Sequence, residues 1–306
     1  MATMIPSLWT AIIMEGTLSD VLRFLHGCGW RCFELSTEHL EAIANDPAPQ
    51  ARIEEITGVL AELGATMPQA HAYIHADIAH PDPARRETDI RLLERHLDCC
   101  AQLGIAQVVI HPGGRELKTP DDFRRALEHN IQGFTRLADR AGALGLRIGL
   151  ENTLGGGSAA ATVKRSGEPF RRRSRRRSRD AHCAFGSVPD ELLDLIASVG
   201  SPVLGVTFDT SHAHVRGLDL PAAIRQLGPL ICATHISDND GSSDQHRTPG
   251  GGTIDWPGVM SALREIGYHG RLNFEIPGEE HPQRELLALK MRHALAVADW
   301  LIGRTA

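Results

Sequence analysis

Residues 205–214 read GVTFDTSHAH, and the first half of that stretch decides the fold. Val206, Thr207 and Phe208 form a short run suited to a strand buried on both faces, and the run ends on Asp209. The same shape occurs four more times. QVVIHPGG (107–114), RIGLENT (147–153), ICATHISDNDG (231–241) and LNFEIPG (272–278) each pass from an apolar run to a metal-ligand type: His111, Glu151, His235 and Glu275. Runs of this kind belong to parallel sheets, and polar groups at the carboxyl ends of successive strands converge when such a sheet closes into a barrel.

Working outward, further strand candidates fall at 7–12, 32–35 and 66–73, and amphipathic stretches separate all eight. TDIRLLERHLDCCAQLG (88–104) carries apolar residues at helical spacing and ends on Gly104, well placed to terminate a helix in the left-handed conformation. SVPDELLDLIASVG (187–200) predicts another helix, with Ser187 as candidate N-cap and Pro189 and acids in its first turn. Eight strands alternating with eight helices predict one α/β domain over 1–306, a (β/α)₈ TIM barrel. An open doubly wound sheet would want a Gly-rich fingerprint after its first strand, and SLWTAIIMEG (7–16) has none.

One segment breaks the alternation. Residues 155–186 after the fifth strand are rich in Gly, Ser and Arg, show no periodicity, and predict an inserted flexible loop. The other readings of this loop are a basic arm meeting phosphate on the active face, or a locally shifted reading frame. Positions 164–180 hold nine Lys/Arg against two acids, a local charge of +7. The chain as a whole carries −6, so the remainder carries −13, which disfavours a nucleic-acid partner. The six cysteines (28, 32, 99, 100, 183 and 232) contain no C-x-x-C pair and predict reduced thiols in a cytoplasmic protein. Cys99 and Cys100 fall on the predicted helix as packing or surface thiols. No stretch approaches the roughly 20 apolar residues of a membrane span, so no membrane partner is expected.

Glu151, Asp209, His235 and Glu275 together offer an oxygen-rich donor set suited to one divalent ion, Mn²⁺ or Mg²⁺, and acceptable to Co²⁺ or Zn²⁺. Any one of them alone would read as a capping or ion-paired residue. Five such residues, with His111, at the same end of separate strands read as a site. Glu34, at the end of the second strand, fits either a substrate contact or a buried ion pair. Trp9 fits an apolar wall or simple core packing. The glycine turns HPGG (111–114) and PGGG (249–252) offer backbone N–H groups to a phosphate, although such turns also serve only to leave a strand.

LEN (150–152), FDTSHAH (208–214), the stretch from THISDNDG through DQH to PGGGTIDW (234–256), and FEIPGEE (274–280) resemble the xylose-isomerase-like TIM-barrel superfamily of sugar isomerases and epimerases. The resemblance runs from SLWT to the last helix, with only the Arg-rich loop unmatched. It implies a metal held by Glu151, Asp209, His235 and Glu275, with Glu151 and Glu275 also forming the acid/base pair. It further implies a small sugar, keto-sugar or polyol as substrate, handled through an enediolate-like intermediate. His71, His111, His212, Asp244, His246 and Arg247 would orient its hydroxyl groups. Barrels of this group often pair through their helices, so a homo-oligomer is compatible with the reading.

The same superfamily includes the endonuclease IV group, whose resemblance implies up to three Zn²⁺ and a phosphodiesterase acting on abasic-site DNA. Matching ligand types stand at His71, His111, Glu151, Asp209, His212, His235, Asp244, His246 and Glu275. PGGGTIDW and the acidic body favour the isomerase branch. A catalytically inactive sugar-binding barrel is the non-enzymatic alternative.

Overall fold

A computed structural model describes residues 4–154, 184–277 and 283–303. Eight parallel strands close into a barrel in chain order: β1 (Ile5–Trp9), β2 (Cys32–Leu35), β3 (Thr66–His71), β4 (Gln107–Ile110), β5 (Arg147–Glu151), β6 (Leu204–Asp209), β7 (Ile231–Ile236) and β8 (Arg271–Phe274). Closure is made by β1 against β8, with Ser7 opposite Asn273 and Leu8 opposite Phe274.

Ten α-helices stand among the described residues: α1 (Leu18–Gly27), α2 (Thr37–Ala44), α3 (Pro49–Leu63), α4 (Pro83–Gln102), α5 (Pro120–Ala143), α6 (Pro189–Val199), α7 (Thr210–Val215), α8 (Leu220–Leu227), α9 (Trp256–Glu265) and α10 (Arg284–Ile302). The two beyond eight arise because the crossovers after β2 and β6 each carry a pair. Local chemistry sets the ends. Thr17 and Asp20 form a capping box on α1, as do Thr119 and Asp122 on α5. Gly104 follows α4 at φ +72°, as its position in the sequence implies.

Ser187 does not cap α6. Val188 is the cap residue, and the hydroxyl of Ser187 has no hydrogen-bond partner. Glu191 in the first turn reaches back instead and accepts from the Gly186 and Ser187 N–H groups at 2.7 and 3.0 Å. A side chain inside the helix has thus taken over the role of the cap.

The first strand starts earlier and stops earlier than 7–12. Thr10–Ile12 form a 3₁₀ turn. The Thr10 hydroxyl accepts from the Ser36 N–H and bonds His39 Nδ1, both at 3.0 Å, which ties the top of β1 to the start of α2.

Period-two alternation sorts the strand residues into two sets. Leu8, Phe33, Leu35, Val108, Ile148, Leu150, Phe208, Leu272 and Phe274 are fully or almost fully buried in the apolar core. Their neighbours Ser7, Glu34, Gln69, Gln107, Thr207 and Asn273 are buried polar residues that fill the barrel itself. Gly149 belongs to this second set, and a Cβ there would collide with the Thr207 hydroxyl and press on Gln107 Nε2.

The end of the inserted segment rejoins the fold. Phe185 is buried, its N–H donates to Gly114 O at 2.8 Å, and its carbonyl accepts from the Thr153 hydroxyl. Residues 155–183, including the Arg-rich stretch 164–180 and Cys183, lie outside the described residues. No helix among the described residues is long and apolar enough to cross a membrane.

Candidate metal centre

The inward set continues to the carboxyl ends of the strands, where it turns ionisable. Glu151 ends β5, Asp209 ends β6, His235 is the next-to-last residue of β7, and Glu275 follows β8 with its N–H still donating to Ile236 O. Each is at most 9% exposed. One ligand atom from each of the four can be chosen so that all lie within 4.8 Å of one another. His235 Nδ1 is the meeting point, 2.9 Å from Glu151 Oε1, 2.9 Å from Glu275 Oε2 and 3.9 Å from Asp209 Oδ2.

Two further groups adjoin this one. His71 Nε2 and His111 Nε2 approach Glu151 Oε2 at 2.9 and 2.8 Å, and His71, Glu151 and His235 form a second convergent set. His212, Asp244 and His246 form a third, with His246 Nε2 2.8 Å and His212 Nε2 3.4 Å from Asp244 Oδ2. Nine of the ten residues expected at the site are therefore brought together.

Arg247 is the tenth, and its guanidinium is drawn to Gly251 O at 3.0 Å and to Asp240. With His246, Pro277 and Lys290 it lines a separate cleft of about 520 Å³. His214 is not part of these groups. The chain is already helical over α7, and His214 Nδ1 bonds Asn239 Oδ1 at 2.7 Å. The glycine turns do not present a free phosphate cradle. The Gly113 and Gly114 N–H groups are spent on Asn130 Oδ1 and Asp77 Oδ1, and those of Gly250 and Gly251 on Asp238 Oδ2 and Thr248 O.

The donor set fits a divalent ion on three observations. Asp209 Oδ2 is buried with no hydrogen-bond partner, facing only His212 Nδ1 at 3.7 Å and His235 Nδ1 at 3.9 Å, and a buried anionic oxygen so placed is costly unless a cation answers it. His71 and His212 each direct Nδ1 to a backbone carbonyl, Ala72 O at 2.7 Å and Asn152 O at 2.8 Å. A nitrogen bonded to a carbonyl carries the hydrogen, so in the neutral ring Nε2 holds the lone pair and faces the carboxylates. Finally, imidazole with carboxylate is the mixture that borderline and hard divalent ions accept.

Electrostatics without an ion express the same crowding. Burial pushes the Asp209 carboxyl up to about 7; the His212 charge opposes this, while Glu151 and Glu275 add to it. Burial also raises Glu151, but His235 and His111 outweigh it and hold the carboxyl well below the usual range. Glu275 is likewise held down at about 2, with burial overcome chiefly by His235. Burial disfavours charge on His235, yet Glu34, Glu151 and Glu275 raise it well above an ordinary histidine.

Three supporting residues escape a reading by strand ends alone. Asn152 Nδ2 donates to Asp209 O at 3.0 Å, and its Oδ1 accepts the Asp209 N–H at 2.8 Å, locking β5 to β6. Its place directly after Glu151 in LEN was the available signal. Ser211 donates to Asp244 Oδ1 at 2.5 Å, and fully buried Asp238 gathers three N–H groups from the loop that carries Asp244 and His246, and the indole N–H of Trp256 at the start of α9.

The xylose isomerase-like TIM barrel family model matches residues 22–296, which include every one of these ligand types. The chain belongs to that family. Among relatives, a probable endonuclease 4 of Acholeplasma laidlawii is 24% identical over 249 residues, 76% of this chain and 73% of its own length. An inosose isomerase of Bacillus velezensis is 25% identical over 187 residues, 59% of this chain. The match spans little more than half of that relative, 56%. The crystal structure of a D-psicose 3-epimerase in the presence of D-fructose superposes with a TM-score of 0.73, covering 98% of this chain and 100% of that one. Its 19% identity makes this a likeness of fold. Both branches expected from the sequence thus stand among the relatives of this xylose isomerase-like barrel.

Proposed function

We propose that this barrel is a divalent-metal-dependent isomerase or epimerase of a small sugar, keto-sugar or polyol. The observation that carries the reading is the meeting of Glu151 Oε1 and Glu275 Oε2 at His235 Nδ1, each at 2.9 Å, with Asp209 completing the set. Glu151, Asp209, His235 and Glu275 would hold the ion, which when bound polarises a carbonyl and its neighbouring hydroxyl.

The chain's own groups do the rest. One glutamate takes the proton from the carbon beside the carbonyl; the C–H electron pair forms a C=C bond as the carbonyl π pair moves to oxygen, giving an enediolate-like intermediate. The other glutamate returns a proton to carbon. Both carboxyls are held ionised by their imidazole neighbours, so either can take the proton, and the other must first acquire one from solvent before it returns it to carbon. His71, His111, His212, Asp244 and His246 adjoin these carboxylates and would orient substrate hydroxyls, a role Arg247 could share only by leaving Gly251 O and Asp240. The inosose isomerase and D-psicose 3-epimerase relatives support a substrate of this class.

A second reading is favoured by one specific observation, the complete nine-residue donor set in adjoining groups: a zinc phosphodiesterase acting on abasic-site DNA. The probable endonuclease 4 relative supports it. Elemental analysis of protein purified without added metal or chelator separates the two. About one ion per chain is expected, together with solvent deuterium appearing at one carbon of a ketose or inosose panel. Two to three zinc ions with cleavage of abasic-site DNA would replace the isomerase by the nuclease. Bound metal with no exchange and no cleavage would leave only a sugar-binding barrel.

A further inference from the structure

His235 is gripped from behind as well as from the site. Its Nε2 lies 3.1 Å from both Oε1 and Oε2 of Glu34, the last inward residue of β2, while Nδ1 of the same ring faces the three carboxylates of the site. Glu34 is fully buried, and it is itself fixed. Its Oε2 accepts from Asn273 Nδ2 at 2.7 Å and from Gln69 Nε2. An ionised carboxylate only accepts, so the nitrogen facing it must carry the hydrogen. The lone pair of the neutral ring is then confined to Nδ1, the nitrogen that faces Glu151, Asp209 and Glu275.

We propose that Glu34 is a positioning residue for the metal centre, holding His235 as the Nε2–H tautomer so that Nδ1 is offered to a divalent cation. This rests on the metal-centre reading given above. Neither a substrate contact nor a simple structural ion pair describes Glu34, because Gln69 and Asn273 already hold the carboxylate in place and its remaining capacity is spent on one ring nitrogen. Partners of this kind typically contribute 10- to 100-fold in metal affinity.

Glu34→Gln is the matched perturbation. The shape is retained, but an amide presents one donor where three donors converge. The ring can then turn over to the Nδ1–H form, which closes the coordination position. Titration of the metal-free full-length protein with Co²⁺, followed by its visible ligand-field bands, reads the effect without any substrate. The expected result for E34Q is affinity about 10- to 100-fold weaker than wild type, with band positions shifted. A structural ion pair would lower stability and leave the bands where they were.

Equal affinity and an unchanged spectrum in folded E34Q would overturn the assignment while leaving the metal centre intact. A wild-type protein that takes up no Co²⁺ would overturn the metal centre and the role of Glu34 with it. Should E34Q not fold, ¹⁵N-histidine NMR of the zinc-loaded wild-type protein decides the matter. Zinc on Nδ1 of His235 with Nε2–H retained supports the proposal, and zinc on Nε2 refutes it.

Discussion

Asp238→Asn should loosen the loop that brings Asp244 and His246 to the site, and the structure sets the size of the effect. Asp238 is fully buried and accepts four hydrogen bonds. Its Oδ1 takes the Asn239 N–H at 2.8 Å and the Ile254 N–H at 3.3 Å; its Oδ2 takes the Gly250 N–H at 2.8 Å and the Trp256 indole N–H at 2.9 Å. Its backbone exchanges a further pair with Arg247 at 2.7 and 2.8 Å, closing residues 238–247 into a ring. His246 sits inside that ring at φ +47°, a conformation that tolerates His better than most residues but still needs support. Packing adds to the constraint, since a Cβ on Gly252 would collide with Asn239 O and Asp238 Oδ1.

An asparagine keeps one oxygen. It can serve the Gly250 and Trp256 pair, leaving its NH₂ facing the Asn239 and Ile254 donors. One good bond to a charged acceptor is then lost along with one long, weak bond, for about 2–4 kcal/mol at 1.5–3 kcal/mol per good bond. Urea unfolding monitored by tryptophan fluorescence, with an unchanged m-value, measures it. A loss below about 0.5 kcal/mol, the usual range of an inconsequential surface change, would refute the claim that Asp238 organises this loop.

The remaining expectations concern chemistry, pH and packing. Glu275→Gln should stay folded and lose at least about 10²-fold in turnover, the usual scale of an acid–base group; near-wild-type exchange of substrate deuterium would remove Glu275 from the reaction. His96 is fully buried, accepts the Tyr73 N–H at 3.3 Å on Nδ1, and is lowered to about 4 by burial and then by Arg95. Below pH 6.5 the unfolded chain gains a proton there that the fold refuses, so stability falls with pH, by about 2 kcal/mol at pH 5. Denaturation of His96→Gln across pH 5–6.5 should show a correspondingly flatter slope, and an identical slope would dismiss His96 as the cause. Gly205→Ala would place a Cβ 2.6 Å from Cys232 Sγ and 2.8 Å from Leu230 O. The expected loss is about 1–3 kcal/mol, of which Cys232→Ala restores only part because the carbonyl is backbone; full restoration would contradict the geometry.

Much of the site was legible because barrel topology turns a linear pattern into a convergent one. Glu151, Asp209, His235 and Glu275 each follow a buried run, and parallel closure leaves such residues nowhere to point but the barrel mouth. Asp244 and His246 lie far past β7, and their approach to His212 depends on the Asp238–Arg247 ring. His212 and His214 look alike along the chain, but two residues of helix turn them about 200° apart, to roughly opposite sides of α7. The Ser187 cap and the phosphate readings of HPGG and PGGG failed for a shared reason. A backbone N–H advertises itself in sequence, while the acceptor that claims it (Glu191, Asn130, Asp77 or Asp238) comes from elsewhere.

By itself, then, the sequence determined the barrel and the ligand types at its strand ends, because period-two burial and strand order are properties of local pattern. Only the tertiary structure decided which nitrogen of each imidazole faces the carboxylates. That choice rests on Ala72 O behind His71, Asn152 O behind His212 and Glu34 behind His235, partners 1, 60 and 201 residues away along the chain. It also decided that Arg247 turns to Gly251 O while His246 turns to Asp244. Tautomer and direction are set by what lies behind a side chain, which for His71 is the next residue's carbonyl but for His212 and His235 is brought up only by closure of the barrel.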